Sequence, residues 1–473
     1  MKKNHRRFRI LYAALLSLVL ASCGGPSGKD ADTEPTAGSG MQQPGDGKEN
    51  TPDAEDTGDD GQPGSHDKDG AGNGSSNGQN EDGPGSGSAD SSDQDEPGNS
   101  AGVTQSPDQE NDGPQTVVLN ADTVKLLGRT QPMLDKNLLC AFSGSGAEFD
   151  FTGRRLELTL QGDSAANEQQ RENCARVAIY VNDERVQDIM LTSKLQTVMV
   201  TDSEEVQTVR VRIVKLSETA MSTVAIRPVE LQSGESIRPA ENRAHTIEFI
   251  GDSITCGYGV DDENRNHHFS TETEDVTKAY AWKTAQALDA DYSMVSISGY
   301  GIISGYTDNP DKKVEAQRLP DYYDKLGNCY ASYGSGIQPQ MIKWDFARFV
   351  PEVIVINLGT NDASYCGQDA AKQQEYADAY AAFLKTIREK NPDAEIFCTL
   401  GLMGQELCGA MERAAEQYTA ETGDTRVHTL RLAVQDQTLG VAADWHPTEA
   451  NHEIAAEALA KAIRDVMGWQ ADE

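Results

Sequence analysis

Hydrophobic positions are distributed along this chain in three different ways. From about Thr116 to Leu231 they alternate with polar ones, as in Glu148-Phe149-Asp150-Phe151, Leu156-Glu157-Leu158-Thr159-Leu160, Val177-Ala178-Ile179-Tyr180-Val181 and Val209-Arg210-Val211-Arg212-Ile213-Val214. A period of two in β-branched and aromatic residues predicts strands with one buried face, and Thr152-Gly153 and Asn182-Asp183 are turn signals between them. The expected unit is a β-sandwich over residues 116–235.

Beyond a polar stretch from Ser233 to Asn242, apolar residues run consecutively. Thr246 to Ile250, Tyr292 to Ile297, Val353 to Leu358 and Glu395 to Leu400 read as strands buried on both faces. Helical periods fall among them, at Ala279 to Leu288, Tyr376 to Lys390 and Met411 to Thr422, and a last one runs from Ala450 to Met467. Strand alternating with helix predicts an α/β domain over residues 243–473, a parallel sheet covered by helices in three layers. Such sheets bind ligands at the carboxyl ends of their strands, which is where chemistry is to be sought.

The N-terminal part shows neither pattern. Lys2, Lys3, Arg6, Arg7 and Arg9 precede an apolar run from Ile10 to Ala21 that is too short to span a bilayer, the layout of a signal peptide over residues 1–22. Leu20-Ala21-Ser22-Cys23 closes it and resembles a bacterial lipobox, which makes Cys23 the expected lipidation site. A diacylated cysteine anchors stably to a membrane, so the mature chain is expected outside the cytoplasm, at the cell surface.

Residues 23–115 are rich in Gly, Ser, Pro and Asp and are expected to be a disordered acidic linker. Between Gly24 and Gln115 there are 21 acidic residues against 3 lysines, so this tether carries about half of the net charge of −35. As a flexible coil it would span roughly 50 Å, enough to hold a domain away from a membrane. No basic stripe with interleaved aromatics exists, which excludes nucleic acid as a partner on electrostatic grounds. The cysteines after Cys23 show no CxxC spacing, and no disulfide framework or zinc site follows from them.

Four short motifs fall at the ends of the buried strands. Gly251-Asp252-Ser253 follows the first, where a serine on a tight turn is exposed at the sheet edge, although GDS alone reads more simply as a helix cap. Ser298-Gly299-Tyr300 follows the second, and a glycine lets a backbone N–H approach a ligand closely. Asn357-Leu358-Gly359-Thr360-Asn361-Asp362 ends the third, with an amide able to donate to an oxyanion. Asp444-Trp445-His446-Pro447 precedes the closing helix, in a loop that can fold back over the sheet end.

Taken together and in this order, these blocks resemble the SGNH (GDSL) hydrolase superfamily, which has a flavodoxin-like sheet. The resemblance implies Ser253 as nucleophile, His446 as general base, and the Ser253 N–H, Gly299 N–H and Asn361 side chain as oxyanion hole. The longer strings GDSITCGYGV, FSTETEDVTKAYAW, SISGYGI, NLGTNDAS and DWHPT, behind a sandwich carrying FSGSGAEFDFTG, are similar to carbohydrate esterase family 2. That family joins a jelly-roll domain to an SGNH domain and deacetylates plant polysaccharides such as xylan and glucomannan. The implied partner is therefore an acetylated polysaccharide, with no cofactor and no metal. The rival readings are an esterase for other acyl esters, such as O-acetylated cell-wall glycan, and a glycan-binding lipoprotein without activity. Retention of all four motif residues argues against the second.

One departure leaves the third catalytic member open. The superfamily places an Asp three residues before the His, where this chain has Ala443, with Asp444 two before. On an extended segment Asp444 would share a face with His446, and a turn would redirect it. Either Asp444 or a backbone carbonyl is thus available to orient the imidazole. Trp445 offers a stacking face to a sugar or packs in the core, and Tyr258 and Tyr300 are weaker stacking candidates. Asp252 and Asp362 are read as loop braces, His452 as a surface or capping residue, and His267 and His268 as loop residues rather than metal ligands.

Overall fold

The computed structural model describes residues 113–470. The signal segment, Cys23 and the tether as far as residue 112 lie outside the described residues.

Two long strands, Gly146–Gly162 and Leu195–Lys215, pair antiparallel and form the spine of the first domain. One nine-stranded antiparallel sheet is built around them, beside a two-stranded ribbon of Gln115–Val117 with Val229–Leu231. Alternating residues enclose the domain's core, among them Phe149, Phe151, Leu158, Ile179, Val211 and Ile213. Asn182 and Asp183 both have positive φ, 49° and 68°, as a two-residue hairpin turn with right-handed strand twist requires. Thr152-Gly153, expected to be a turn, instead lies inside Gly146–Gly162, where the register shifts between Gly153 and Arg155. A bulge bends a strand without ending it, so the glycine marks curvature rather than reversal. Ser236–Pro239, in the stretch expected to link the domains, is a further strand paired with Gly146–Gly162.

In the second domain five parallel strands take the order second, first, third, fourth, fifth: Ala290–Ser296, His245–Gly251, Val353–Asn357, Glu395–Leu402 and Val427–Val434. Successive buried residues point to opposite faces. Ile250, Ile354, Ile356 and Ile396 pack with Tyr376, Leu384, Met411 and Tyr418 of helices Ala370–Lys390 and Cys408–Thr422. Phe249, Val355 and Phe397 pack on the other side with Tyr280, Leu459 and Ile463 of helices Tyr280–Ala287 and Glu449–Met467. This is the three-layer SGNH/GDSL-type fold, preceded by an antiparallel β domain. The fifth strand carries no continuous apolar run, because at the sheet edge it has side chains such as Arg431 in solvent.

The two domains share a core. Ala178, Tyr180, Val214 and Leu216 of the β domain pack against Trp282, Tyr292 and Met294. The loop beyond the second parallel strand is tied to the β domain by Tyr333, whose O–H donates to Asp135 at 2.6 Å, and by paired contacts of Ser332 with Ser164. Seven cysteines are present among the described residues, all free and buried. No helix there is long and apolar enough to cross a membrane.

Candidate active site

Gly251 ends the first parallel strand, and a Cβ there would sit 2.0 Å from Thr255 Oγ1, so only glycine lets the chain turn this tightly. Asp252 caps the one-turn helix Ser253–Cys256 by accepting the Ile254 N–H at 3.0 Å. Ser253 opens that helix, so its own N–H has no intrahelical acceptor. Its hydroxyl lies 2.9 Å from His446 Nε2.

The loop carrying His446 turns sharply. Asp444 and Trp445 both have positive φ, 48° and 66°, a conformation that costs a side-chain-bearing residue about 1–3 kcal/mol and persists where the surroundings hold it. Those surroundings are the Ala443 N–H on the Asp262 carbonyl (2.9 Å), the Asp444 N–H on the His267 carbonyl (3.0 Å) and Gln435 on the Trp445 carbonyl (2.8 Å). The turn carries the Asp444 carboxylate away from Nδ1 of His446. One of its oxygens accepts the Tyr258 O–H at 2.6 Å, and the other meets His268 Nδ1 at 3.0 Å.

His446 Nδ1 faces the carbonyl of Ala443 at 3.1 Å. A carbonyl can only accept, so the proton resides on Nδ1 and the Nε2 lone pair faces Ser253. Burial pushes the imidazole pKa down to about 4, outweighing the Ala443 carbonyl and the Asp444 charge, so the ring is neutral at pH 7. The ring of Tyr258 stacks on it at 3.9 Å.

The opposite side of the site comes from the next two strand ends. Gly299 has φ +81°, its N–H donates to no other group among the described residues, and a Cβ there would meet nothing within 4 Å. Asn361 follows the third strand in the helix Thr360–Cys366. Its amide donates to the Tyr300 carbonyl at 2.8 Å and lies 3.3 Å from Asp252, which links the loops of Gly299 and Ser253. Asp362 accepts the N–H groups of Ile302, Ile303 and Ser304 at 2.9, 2.7 and 3.1 Å and fixes the loop after Gly299. Burial pushes Asp252 up to about 7 and Asp362 to about 6. The arrangement offers a hydroxyl paired with a neutral base at the carboxyl edge of a sheet, and the N–H groups of Ser253 and Gly299 there have no acceptor among the described residues.

Trp445 is half-buried and belongs to none of the hydrophobic cores, and the Arg265 guanidinium lies 4.7 Å from its ring. Tyr300 is buried, with its O–H accepting from Asn328 at 2.7 Å. His267 and His268 are exposed and pair with Asp262 and Asp444. His452 is not at the surface. It is fully buried, accepts the first N–H of helix Tyr280–Ala287 at 3.1 Å, and is pushed down to about 3 by burial. Its apolar neighbours on the closing helix signal this position. The contacts of Tyr258 and Asp444 depend on the left-handed turn, which no local pattern announces.

Residues 249–454 match the GDSL-like Lipase/Acylhydrolase family, and residues 126–240 match the Carbohydrate esterase 2 N-terminal family. The cellulase/esterase CelE of Acetivibrio thermocellus is 29% identical over 370 residues, which span 77% of this chain and 41% of that longer protein. An acetylxylan esterase / glucomannan deacetylase of Cellvibrio japonicus is 27% identical over 75% of this chain and 92% of its own length. A family two carbohydrate esterase from Clostridium thermocellum, solved in complex with cellohexaose, superposes with a TM-score of 0.62 at 26% identity, covering 73% of this chain and 99% of that one.

Proposed function

We propose, from the match of residues 249–454 to the GDSL-like hydrolases and of residues 126–240 to the N-terminal domain of carbohydrate esterase 2, that this chain removes O-acetyl groups from polysaccharide outside the cytoplasm. The observation that carries the proposal is the 2.9 Å contact from Ser253 Oγ to His446 Nε2, with Nδ1 held on a backbone carbonyl.

His446 Nε2 takes the Ser253 proton as the oxygen attacks the acetyl carbonyl carbon. The tetrahedral oxyanion is received by the N–H groups of Ser253 and Gly299 and by the Asn361 amide, which exchanges its longer contact with Asp252 for the oxyanion, each such donor being worth about 3 kcal/mol when well placed. Collapse expels the sugar hydroxyl with the proton from His446 and leaves acetyl-Ser253. Water then gives its proton to His446, attacks the acetyl group, and releases acetate and the free serine. The Ala443 carbonyl supports the imidazolium that forms in each half-reaction, so Ser253 and His446 act as a dyad. No cofactor enters.

The names of the relatives support a plant polysaccharide such as xylan or glucomannan as the substrate class. Trp445 beside His446 offers an aromatic face to a sugar ring. Cys23 would carry the lipid, and the acidic tether would hold the enzyme off the membrane.

Acetate release from acetylated xylan, acetylated glucomannan and 4-nitrophenyl acetate tests this reading, with Ser253→Ala as control. Release that disappears in the variant is expected. A folded wild-type chain that releases none from any of the three would sink it and favour glycan binding.

A further inference from the structure

The junction between the two domains buries charge that the chemistry above does not use. Lys215, the last residue of strand Leu195–Lys215, and Glu218 just beyond it are each 1% exposed, although both belong to the β domain. Lys215 Nζ donates to the carbonyls of Ser217 and Glu218 at 2.6 and 2.7 Å. The Glu218 N–H donates to Glu274 Oε2 at 2.7 Å, and Glu274 lies in the segment that follows the Ser253 helix. Cys256 ends that helix, and its Sγ lies within 4.8 Å of carboxylate oxygens of both Glu218 and Glu274.

The same Glu218 carboxylate also meets the loop that follows the second parallel strand. Its Oε2 accepts the N–H of Ser298 at 2.8 Å, and Ser298 immediately precedes Gly299. Neighbouring backbone groups are fastened as well. The Gly299 carbonyl accepts the Tyr306 N–H at 2.9 Å, and the Tyr300 N–H reaches the Ile297 carbonyl at 3.3 Å. The Gly299 N–H has no acceptor among the described residues, and a Cβ at Gly299 would meet nothing within 4 Å. Of these anchors, Glu218 is the one supplied by the β domain.

Burying a carboxyl group is costly unless it is paired or hydrogen-bonded, and an apolar residue would fill this space more cheaply. We infer that Glu218 is a positioning residue, which holds the Ser298 N–H so that the neighbouring Gly299 N–H is aimed at the developing oxyanion. The β domain is then part of the catalytic site rather than an appended module. The inference rests on the esterase reading and on Gly299 as an oxyanion donor. Burial raises the carboxyl pKa, and an oxygen remains to accept from Ser298 in either protonation state.

Two substitutions in the full chain separate position from charge. Glu218→Gln keeps an acceptor at the same reach, whereas Glu218→Asp keeps the charge and withdraws the acceptor by one methylene. Turnover of 4-nitrophenyl acetate and inhibition by an arylboronic acid, which forms a tetrahedral adduct with the serine, are measured on each and normalised to the folded fraction from thermal melting. Glu218→Gln is expected to stay near wild type. Glu218→Asp is expected to lose at least about tenfold in both kcat and boronate affinity, part of the 10²–10³ that removing one oxyanion donor costs, with KM little changed. Equal losses in both variants, a fully active Glu218→Asp, or losses that only track unfolding would overturn the inference and leave Glu218 a structural residue. An inactive wild type would defeat the esterase reading itself, a separate result.

Discussion

The imidazole of His446 is oriented by the backbone of Ala443, whose carbonyl lies 3.1 Å from Nδ1, while the carboxylate two residues earlier is turned towards Tyr258 and His268. A neutral acceptor fixes the tautomer as well as a carboxylate does, but stabilises the imidazolium less. The carboxylate of Asp444 acts at one remove, by holding the tyrosine that stacks on the ring.

Asp444→Asn is therefore expected to keep kcat/KM for 4-nitrophenyl acetate within about tenfold of wild type. Loss of the aspartate from a Ser-His-Asp triad costs about 10⁴ in kcat. A fall of that size on the same substrate would return Asp444 to the role of third catalytic member.

The pH dependence follows from the buried ring. A general base works when deprotonated, and burial lowers the His446 pKa from 6.5 to about 4. Activity should then be level from about pH 8 down to about pH 5 and fall as pH drops through about 4, where the ring takes up a proton before substrate arrives. Measured kcat/KM against pH checks this. A limb centred at the ordinary imidazole value would mean that the ring is wetter, or the charge of Asp444 closer in effect, than the geometry implies.

Much of this was legible in the sequence because the physics involved is local. Runs such as Val353 to Leu358 are apolar on both faces only if a sheet is covered twice, and the turn chemistry of Gly251 and Gly299 shows in the residue type itself. What was not legible depends on tertiary contacts. The edge strand Val427–Val434 is half solvated and so loses its hydrophobic signature. Gly153 carries the same turn signal whether the chain reverses or only bends. The direction of Asp444 is decided by two left-handed residues without glycine, and Glu218 sits in a segment, Ser217-Glu218-Thr219, that reads as an ordinary polar loop.

Arg129 supplies a test of whether the two domains form one unit. It is fully buried, donates to the carbonyls of Tyr323 (2.5 Å) and Lys325 (2.9 Å), and pairs with Glu248 of the first parallel strand at 3.3 Å. The rings of Phe142, Tyr323, Trp344 and Phe346 surround its guanidinium at 5.2 to 5.9 Å. Removing one member of a buried ion pair costs about 3–5 kcal/mol. Arg129→Met should lower the melting temperature of both domains together, in one calorimetric transition. Two separate transitions, with only the first shifted, would show that the β domain folds independently of the sheet.

Trp445 decides between a sugar platform and a structural ring. Its half-burial beside His446, with Arg265 over one face, leaves an aromatic surface at the site without membership of any core. If a sugar stacks there, the contact binds the polymer and not the acetyl group, so truncation should act on the substrate that carries the sugar. Trp445→Ala is expected to raise KM for acetylated glucomannan or xylan about tenfold, the effect of losing roughly 1–2 kcal/mol at one aromatic contact, and to leave 4-nitrophenyl acetate hydrolysis nearly unchanged. Equal losses on both substrates would point instead to a collapsed His446 loop, since Trp445 also takes part in the left-handed turn through its carbonyl and Gln435. Trp445→Phe separates those outcomes, because it retains a stacking face and the backbone contact: near-wild-type behaviour on the polymer supports the platform, and equal losses on both substrates support the structural role.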